Sequence, residues 1–207
     1  LAGSGRSPPA RDLLVRSMDL FAMPTSLPST AGTTGTSTDF DLVVVGASYA
    51  GVGVVAAARE AGFSGRIALV GDETELPYQR PPLSKGFLLG KAGANLPLKA
   101  ASFYAEAGVE FVAGRRAVAL DRQAQRLRLD DGTTLGFSQL ALTTGARAAA
   151  LRCPGAELDG VVSLRSLGDA HVLSERLGAA GSVVIIGGGF IGLEVASAAI
   201  ALGKQVT

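Results

Sequence analysis

The sequence predicts an α/β fold, and three observations carry the prediction. Two glycine-rich turns each follow a short apolar strand and open an apolar helix: DLVVVGASYAGVGVVAAARE from Asp41 to Glu60, and VVIIGGGFIGLEVASAAIALG from Val183 to Gly203. Strand-like and helix-like segments alternate around the first of them, as in parallel-sheet proteins. The stretch Arg116 to Leu135 alternates apolar and polar residues about Asp130-Asp131-Gly132, the pattern of a β-meander. One glycine turn alone says little. Two of them, in strand–turn–helix context, imply two phosphate-bearing ligands held in one molecule.

The elements follow in order. Residues 1–38 are expected to form a disordered extension, because from Pro24 to Thr38 every residue but Leu27 is Ser, Thr, Pro, Gly or Ala. Such a composition buries too little apolar surface to order itself. Met18-Asp19-Leu20-Phe21 is acidic and short, so it does not read as a secretory signal, and Met18 or Met23 is a candidate start. A strand at 41–45, a helix at about 49–61 and a strand at 66–70 make one βαβ unit. The proline-bearing loop from Pro77 to Lys85 follows, then a short helix at 101–107 and a strand at 109–113. After the meander, a strand at 139–143 runs into Thr144-Gly145, and a linker with Pro154-Gly155 leads to a second domain. Its first clear strand is 183–186, four β-branched residues expected to be buried on both faces. The helix from Phe190 to Leu202 is expected to pack on a sheet. Thr207 falls inside what should be that domain's second strand, and a lone strand–helix–strand cannot cover both faces of a parallel sheet. The chain is therefore expected to be the N-terminal part of a longer protein, with domains at 39–152 and 153–207, the second truncated.

In the second turn Gly187, Gly189 and Gly192 fit GxGxxG. The first glycine permits the tight bend, the second lets backbone approach a pyrophosphate, and the third lets helix and strand pack closely. The phosphates would sit at the helix N-terminus, where free N–H groups and about half a positive charge favour an anion. In the first turn Gly46 and Gly51 hold the outer positions and Ser48 replaces the middle glycine, its hydroxyl a further phosphate donor. An acid about 20 residues on usually holds a ribose hydroxyl. Here Asp72 and Glu73 follow Gly71, slightly displaced.

Bulk properties exclude other classes. A net charge of +1 with 18% charged residues gives no reason to expect nucleic acid or an anionic membrane as partner. No uninterrupted apolar stretch approaches the ~20 residues of a membrane span; the run from Phe190 to Leu202 is too short, and Glu194 interrupts it. The single cysteine, Cys153, excludes an internal disulfide and suits a reducing, cytoplasmic compartment. The single histidine, His171, falls in a predicted surface helix (169–177), so neither a metal site nor a histidine-based triad is expected.

Several segments together resemble the ferredoxin-reductase family of flavoproteins: Val44 to Gly51, Gly71-Asp72-Glu73, Leu76 to Gly90, Thr144-Gly145-Ala146, Leu164 to Ala170, and Gly187 to Glu194. The PYQRPPLSKGFLLG block is the most specific of them. The resemblance implies two Rossmann-like domains of three-layer ββα type, FAD on the first turn and NAD(P)H on the second. It implies electron delivery from NAD(P)H through FAD to a ferredoxin or rubredoxin. A non-catalytic or signalling flavoprotein of the apoptosis-inducing-factor type is the alternative. Ala50, Asp72, Lys85, Val118 and Arg165 occupy FAD-contacting positions by this resemblance. Gly46, Ser48, Gly51, Arg80, Thr144 and Gly145 belong to the same site, and Gly187, Gly189, Phe190, Ile191 and Gly192 to the nicotinamide site. One departure stands out: relatives often carry Pro-Arg where this chain has Ala148-Ala149, so a basic contact is absent or is supplied by Arg147. The lack of a cysteine pair argues against disulfide reduction, and the lack of a thiol beside Ser84-Lys85 argues against peroxide reduction. By itself the fragment is expected to be inactive and to bind FAD weakly or not at all.

Lys85 and Glu194 are the expected catalytic pair. Glu194 is the only charge on an apolar helix, and isolated buried charge is strongly disfavoured. Lys85 ends a stiff double-proline loop. The resemblance implies that they meet near the flavin ring, the cation stabilising reduced flavin and the carboxylate orienting the lysine. Arg115, Arg116, Arg122, Arg126 and Arg128 form a basic cluster in the meander, either a docking face for an acidic ferredoxin or an ordinary solvated sheet face. The choice between NADH and NADPH stays open.

Overall fold

The computed structural model describes residues 38–91 and 96–207. The expected disorder of the N-terminal extension and the choice between Met18 and Met23 lie outside the described residues. The chain runs β1 (Asp39–Val45), α1 (Tyr49–Glu60), β2 (Ile67–Val70), a 3₁₀ turn (Pro81–Ser84), α2 (Ala101–Glu106) and β3 (Val109–Val112). It continues with β4 (Ala117–Asp121), β5 (Arg126–Leu129), β6 (Thr134–Leu142), α3 (Leu167–Ala179), β7 (Ser182–Val183), α4 (Phe190–Ala201) and β8 (Gln205–Val206).

Six strands form one sheet in the order β3-β2-β1-β6-β5-β4. The first four are mutually parallel, while β5 is antiparallel to β6 and β4 to β5. The nine-residue β6 belongs to both halves. Its start pairs with β5 across Leu127↔Leu135, and the strand continues beside β1 to Val45↔Leu142. The last strand of the expected meander and the expected strand at 139–143 are thus one continuous element.

Successive side chains of a strand point to opposite faces, and the two faces of β1 and β2 are covered differently. Val43, Val45, Ala68 and Val70 pack under Leu127, Leu129 and Leu135 of the meander. Leu42, Val44, Ile67 and Leu69 pack on Val52 and Val55 of α1 and Tyr104 of α2. The result is the expected three-layer stack of meander, parallel sheet and helices. Arg59, in the last turn of α1, ties the helical layer together: its guanidinium donates to the carbonyls of Phe63, Gly65, Ala107 and Gly108.

The second glycine turn is built differently from expectation. Strand β7 covers only two residues and, among the described residues, pairs with β8 alone. Val184 and Ile186 are 70% and 69% exposed, so this strand is not buried on both faces. A parallel strand is enclosed only when neighbours flank it and layers cover both its faces, and here one neighbour and one layer are present. Helix α4 likewise buries a single stripe, Val195, Ala198 and Ala199, against Leu173 and Leu177 of α3. Phe190, Ile191, Leu193 and Ile200 remain exposed. Helix α3 starts at a capping box in which Ser166 and Asp169 satisfy each other's backbone N–H groups.

Candidate functional site

The registers Val112↔Val70, Val70↔Val45 and Val45↔Leu142 align the C-terminal ends of β3, β2, β1 and β6 in one row. Ligands of open parallel sheets bind outside this edge. The residues just past it are Gly46-Ala47-Ser48 after β1, Gly71-Asp72 after β2, and Thr143-Thr144-Gly145 after β6. Three sequence-predicted segments that are far apart in the chain therefore meet at one edge.

Gly46 sits at φ +113, and a Cβ there would lie 2.1 Å from the Thr143 carbonyl oxygen. Only glycine meets both constraints. The Thr143 hydroxyl lies 2.9 Å from the carbonyl oxygens of both Val45 and Gly46, and holds the bend from the β6 side. Gly51 lets α1 approach until its missing Cβ would be 2.0 Å from the Gly46 oxygen. Ser48 is the N-cap of α1, yet its side chain makes no capping bond. The first-turn N–H groups of α1 and the Ser48 hydroxyl are thus uncommitted donors beside exposed Ala50. This is a cradle of the shape and polarity a diphosphate requires, and the residues present fit FAD.

The flanking residues are placed as follows. A Cβ on Gly71 would lie 2.6 Å from Cβ of Ala47, so Asp72 stands directly beside the cradle. Its carboxylate pairs with Arg116 at 3.3 Å on the surface. Val118 lies two residues beyond Arg116 on the outer strand β4, half exposed. Gly145 adopts φ +65 with the Arg165 guanidinium 3.4 Å from its Cβ position, and Arg165 has no ion pair among the described residues. Its backbone carbonyl accepts from Arg80 at 2.8 Å, and its N–H donates to Asp169 at 2.9 Å. Arg80 is therefore engaged internally. It also pairs with Glu73 at 2.6 Å, while buried Tyr78 donates its hydroxyl to Glu73 and accepts from the Leu167 N–H at 2.7 Å. Burial, and then the Glu73 bond, push the Tyr78 hydroxyl well above the usual tyrosine range. Arg147 and Thr144 are exposed.

The second turn repeats the device. Gly187 has φ +105, and a Cβ on Gly192 would lie 2.7 Å from the Gly187 oxygen, as Gly51 does with Gly46. Gly189 is the N-cap of α4 with nothing within 4 Å of its Cβ position, leaving the turn open above Phe190 and Ile191. These residues fit a second dinucleotide.

Lys85 and Glu194 join the 3₁₀ turn to α4. Lys85 caps the 3₁₀ turn that Pro81 and Pro82 preform, and its Nζ lies 2.9 Å from Glu194 Oε2 and 3.2 Å from the Pro81 carbonyl. Ser84, 4% exposed, donates to the same carboxylate oxygen. The Ser84 bond and then the Lys85 bond hold the Glu194 carboxyl below its ordinary value. A hollow of about 370 Å³ beside the pair is lined by Leu89, Phe190, Leu193 and Ser197 as well.

The family model described as pyridine nucleotide-disulphide oxidoreductase matches residues 40–207, which takes in both turns. The chain belongs to this family. Among pyridine nucleotide-disulphide oxidoreductases it is 44% identical over 167 residues to a rhodocoxin reductase of Rhodococcus erythropolis, covering 80% of this chain and 39% of that protein. It is 44% identical over 167 residues to a rubredoxin-NAD(+) reductase of Pseudomonas putida, covering 80% of this chain and 43% of that one. Among solved structures, a ferredoxin reductase from Rhodopseudomonas palustris aligns with TM-score 0.75 at 42% identity, over 80% of this chain and 41% of that chain. The putidaredoxin reductase–putidaredoxin complex aligns at 0.73 and 39%, over 81% and 41%. The chain thus spans about two fifths of the length of these relatives.

Sequence reasoning missed three parts of the candidate site: Thr143, the Glu73–Tyr78 latch, and Ser84 as a partner of Glu194. A threonine at the end of a strand and a serine after two prolines carry no pattern that distinguishes them from surface residues. The basic cluster is largely neutralised from within, since Arg115 pairs with Asp131, Arg116 with Asp72 and Arg126 with Asp39. Cys153 is an exposed free thiol and His171 lies on the exposed face of α3. Among the described residues no helix is long and apolar enough to cross a membrane.

Proposed function

We propose that this chain holds FAD on the Gly46–Gly51 turn and NAD(P)H on the Gly187–Gly192 turn, as part of a reductase that passes electrons to a small iron–sulfur protein, a ferredoxin or rubredoxin. Residues 39–152 form the FAD-binding part, and 153–207 carry the nicotinamide-binding turn. One observation carries the reading: two glycine bends of the same internal geometry, at φ +113 and φ +105, each open an apolar helix, and the second helix is tied by the Lys85–Glu194 ion pair to the Pro81–Ser84 turn. The names of the relatives, reductases for rubredoxin and for a dioxygenase system's ferredoxin, support the class of acceptor.

The roles follow from the residues. The N–H groups opening α1, with the Ser48 hydroxyl, bind the FAD diphosphate, and Arg165 adds a cation beside Gly145. Asp72 takes a ribose hydroxyl at the end of β2. Gly187, Gly189 and Gly192, with the first turn of α4 at Phe190 and Ile191, take the second diphosphate. FAD, when bound, accepts hydride from the nicotinamide and releases electrons singly. Lys85 keeps one ammonium N–H uncommitted after its bonds to Glu194 and Pro81, and supplies positive charge where negative charge develops. Glu194 orients that ammonium. The protein belongs in the cytoplasm on this reading, where a lone free thiol stays reduced.

The full-length protein carrying this chain is expected to purify yellow and to be bleached by NADH under argon. It is expected to reduce cytochrome c only when a ferredoxin or rubredoxin is added. A colourless protein that takes up no FAD overturns the reading. Lys85→Ala is expected to lower flavin content or slow its reduction; unchanged values remove the pair from the mechanism.

A further inference from the structure

We propose that Ser84 is a positioning residue, and that its buried hydroxyl, more than the lysine, fixes the Glu194 carboxylate where α4 meets the 3₁₀ turn. Two donors and two acceptors meet there. Glu194 Oε2 accepts from both Ser84 Oγ and Lys85 Nζ, and Nζ has a second acceptor in the Pro81 carbonyl.

The two donors are not equivalent. The Lys85 side chain is half exposed and carries four rotatable bonds. Ion pairs of that kind gain little, because water screens the charges and ordering the long chain costs entropy. Ser84 is 4% exposed and is held in a turn whose backbone two prolines restrict. Its hydroxyl has one torsion to fix, and a buried hydroxyl without a partner would be destabilising. Its other neighbour, the Pro81 carbonyl at 3.4 Å, is too far to be a good acceptor. The Ser84–Glu194 bond is therefore the rigid member of the cluster. It spans 110 residues of sequence and anchors α4 to the 3₁₀ turn. Lys85 is left free to reorient its ammonium without loss of the carboxylate's position. The order of causes that depress the Glu194 carboxyl agrees, with Ser84 ahead of Lys85.

The inference rests on the proposed function only for what the pair serves, and its test does not need flavin. The full chain is labelled with ¹³C at glutamate side-chain carboxyls, and the Glu194 signal is assigned by its loss in Glu194→Gln. Ser84→Ala is expected to raise the proton affinity of Glu194 about threefold or more, since a charge-assisted bond to the ionised form is removed. Lys85→Met is expected to change it less. Ser84→Thr keeps the hydroxyl and is expected to titrate as the parent does, with thermal unfolding run in parallel to show that each variant is folded. The proposal is overturned if Ser84→Ala titrates like the parent, or if Lys85→Met moves the carboxyl further than Ser84→Ala does. Protein that fails to take up FAD would sink the functional reading and still report on Ser84.

Discussion

Two glycines of one helix, two residues apart, are expected to respond to the same substitution with opposite sign. At Gly51 an added Cβ would lie 2.0 Å from the Gly46 carbonyl oxygen and 3.1 Å from Thr143 Oγ1. Both are parts of the bend that the Thr143 hydroxyl pins, so relief requires α1 to back away from β1 by more than an ångström. At Gly53 nothing lies within 4 Å of the added atom. Each Gly→Ala change gains about 0.5–1 kcal/mol of helix propensity, and this gain cancels when the two variants are compared. Overpacking at Gly51 costs about 1–3 kcal/mol, which is the expected difference between them. Gly53→Ala should unfold at higher temperature than the parent and Gly51→Ala at lower, about 2–12 °C apart. The measurement is thermal and urea unfolding by far-ultraviolet circular dichroism. If Gly51→Ala proves as stable as Gly53→Ala, the helix does not depend on close approach at the turn, and the account of the cradle fails.

Tyr78→Phe removes the hydroxyl that donates to Glu73 and leaves the Leu167 N–H without its acceptor. A loss of about 1–3 kcal/mol in urea unfolding is expected, with faster amide exchange at the start of α3. Arg59→Ala vacates the carbonyls of Phe63, Gly65, Ala107 and Gly108. It should cost about 2–3 kcal/mol in the same assay, and Arg59→Lys should recover only part, because a point charge cannot fork across several acceptors. The Glu194 carboxyl is depressed below 4.5 in the folded chain, so its contribution is complete above that value and fades as pH falls through the lower folded one. The stability difference between the parent and Glu194→Gln should therefore be flat above about pH 5.5 and shrink below 4.5; a difference that grew on acidification would reverse the assigned sign.

What the sequence determined by itself was whatever a few neighbouring residues encode. The period of Leu42 to Val45 and the glycine spacing of Gly46–Gly51 and Gly187–Gly192 were enough to locate strands, bends and helix starts. These features depend on side-chain alternation and on a backbone angle that favours one residue type. The meeting of Lys85 with Glu194 came from resemblance to a family and not from spacing. The tertiary structure alone decided which donor meets which acceptor: Thr143 behind Gly46, Tyr78 between Glu73 and Leu167, Ser84 under Glu194. It also decided that β6 serves two halves of one sheet, and that Val184, Ile186 and Phe190 face outward despite apolar runs that read as core. Burial depends on how many layers close over a segment, and hydrogen-bond partners depend on where distant turns cross. Neither is a property of the segment itself.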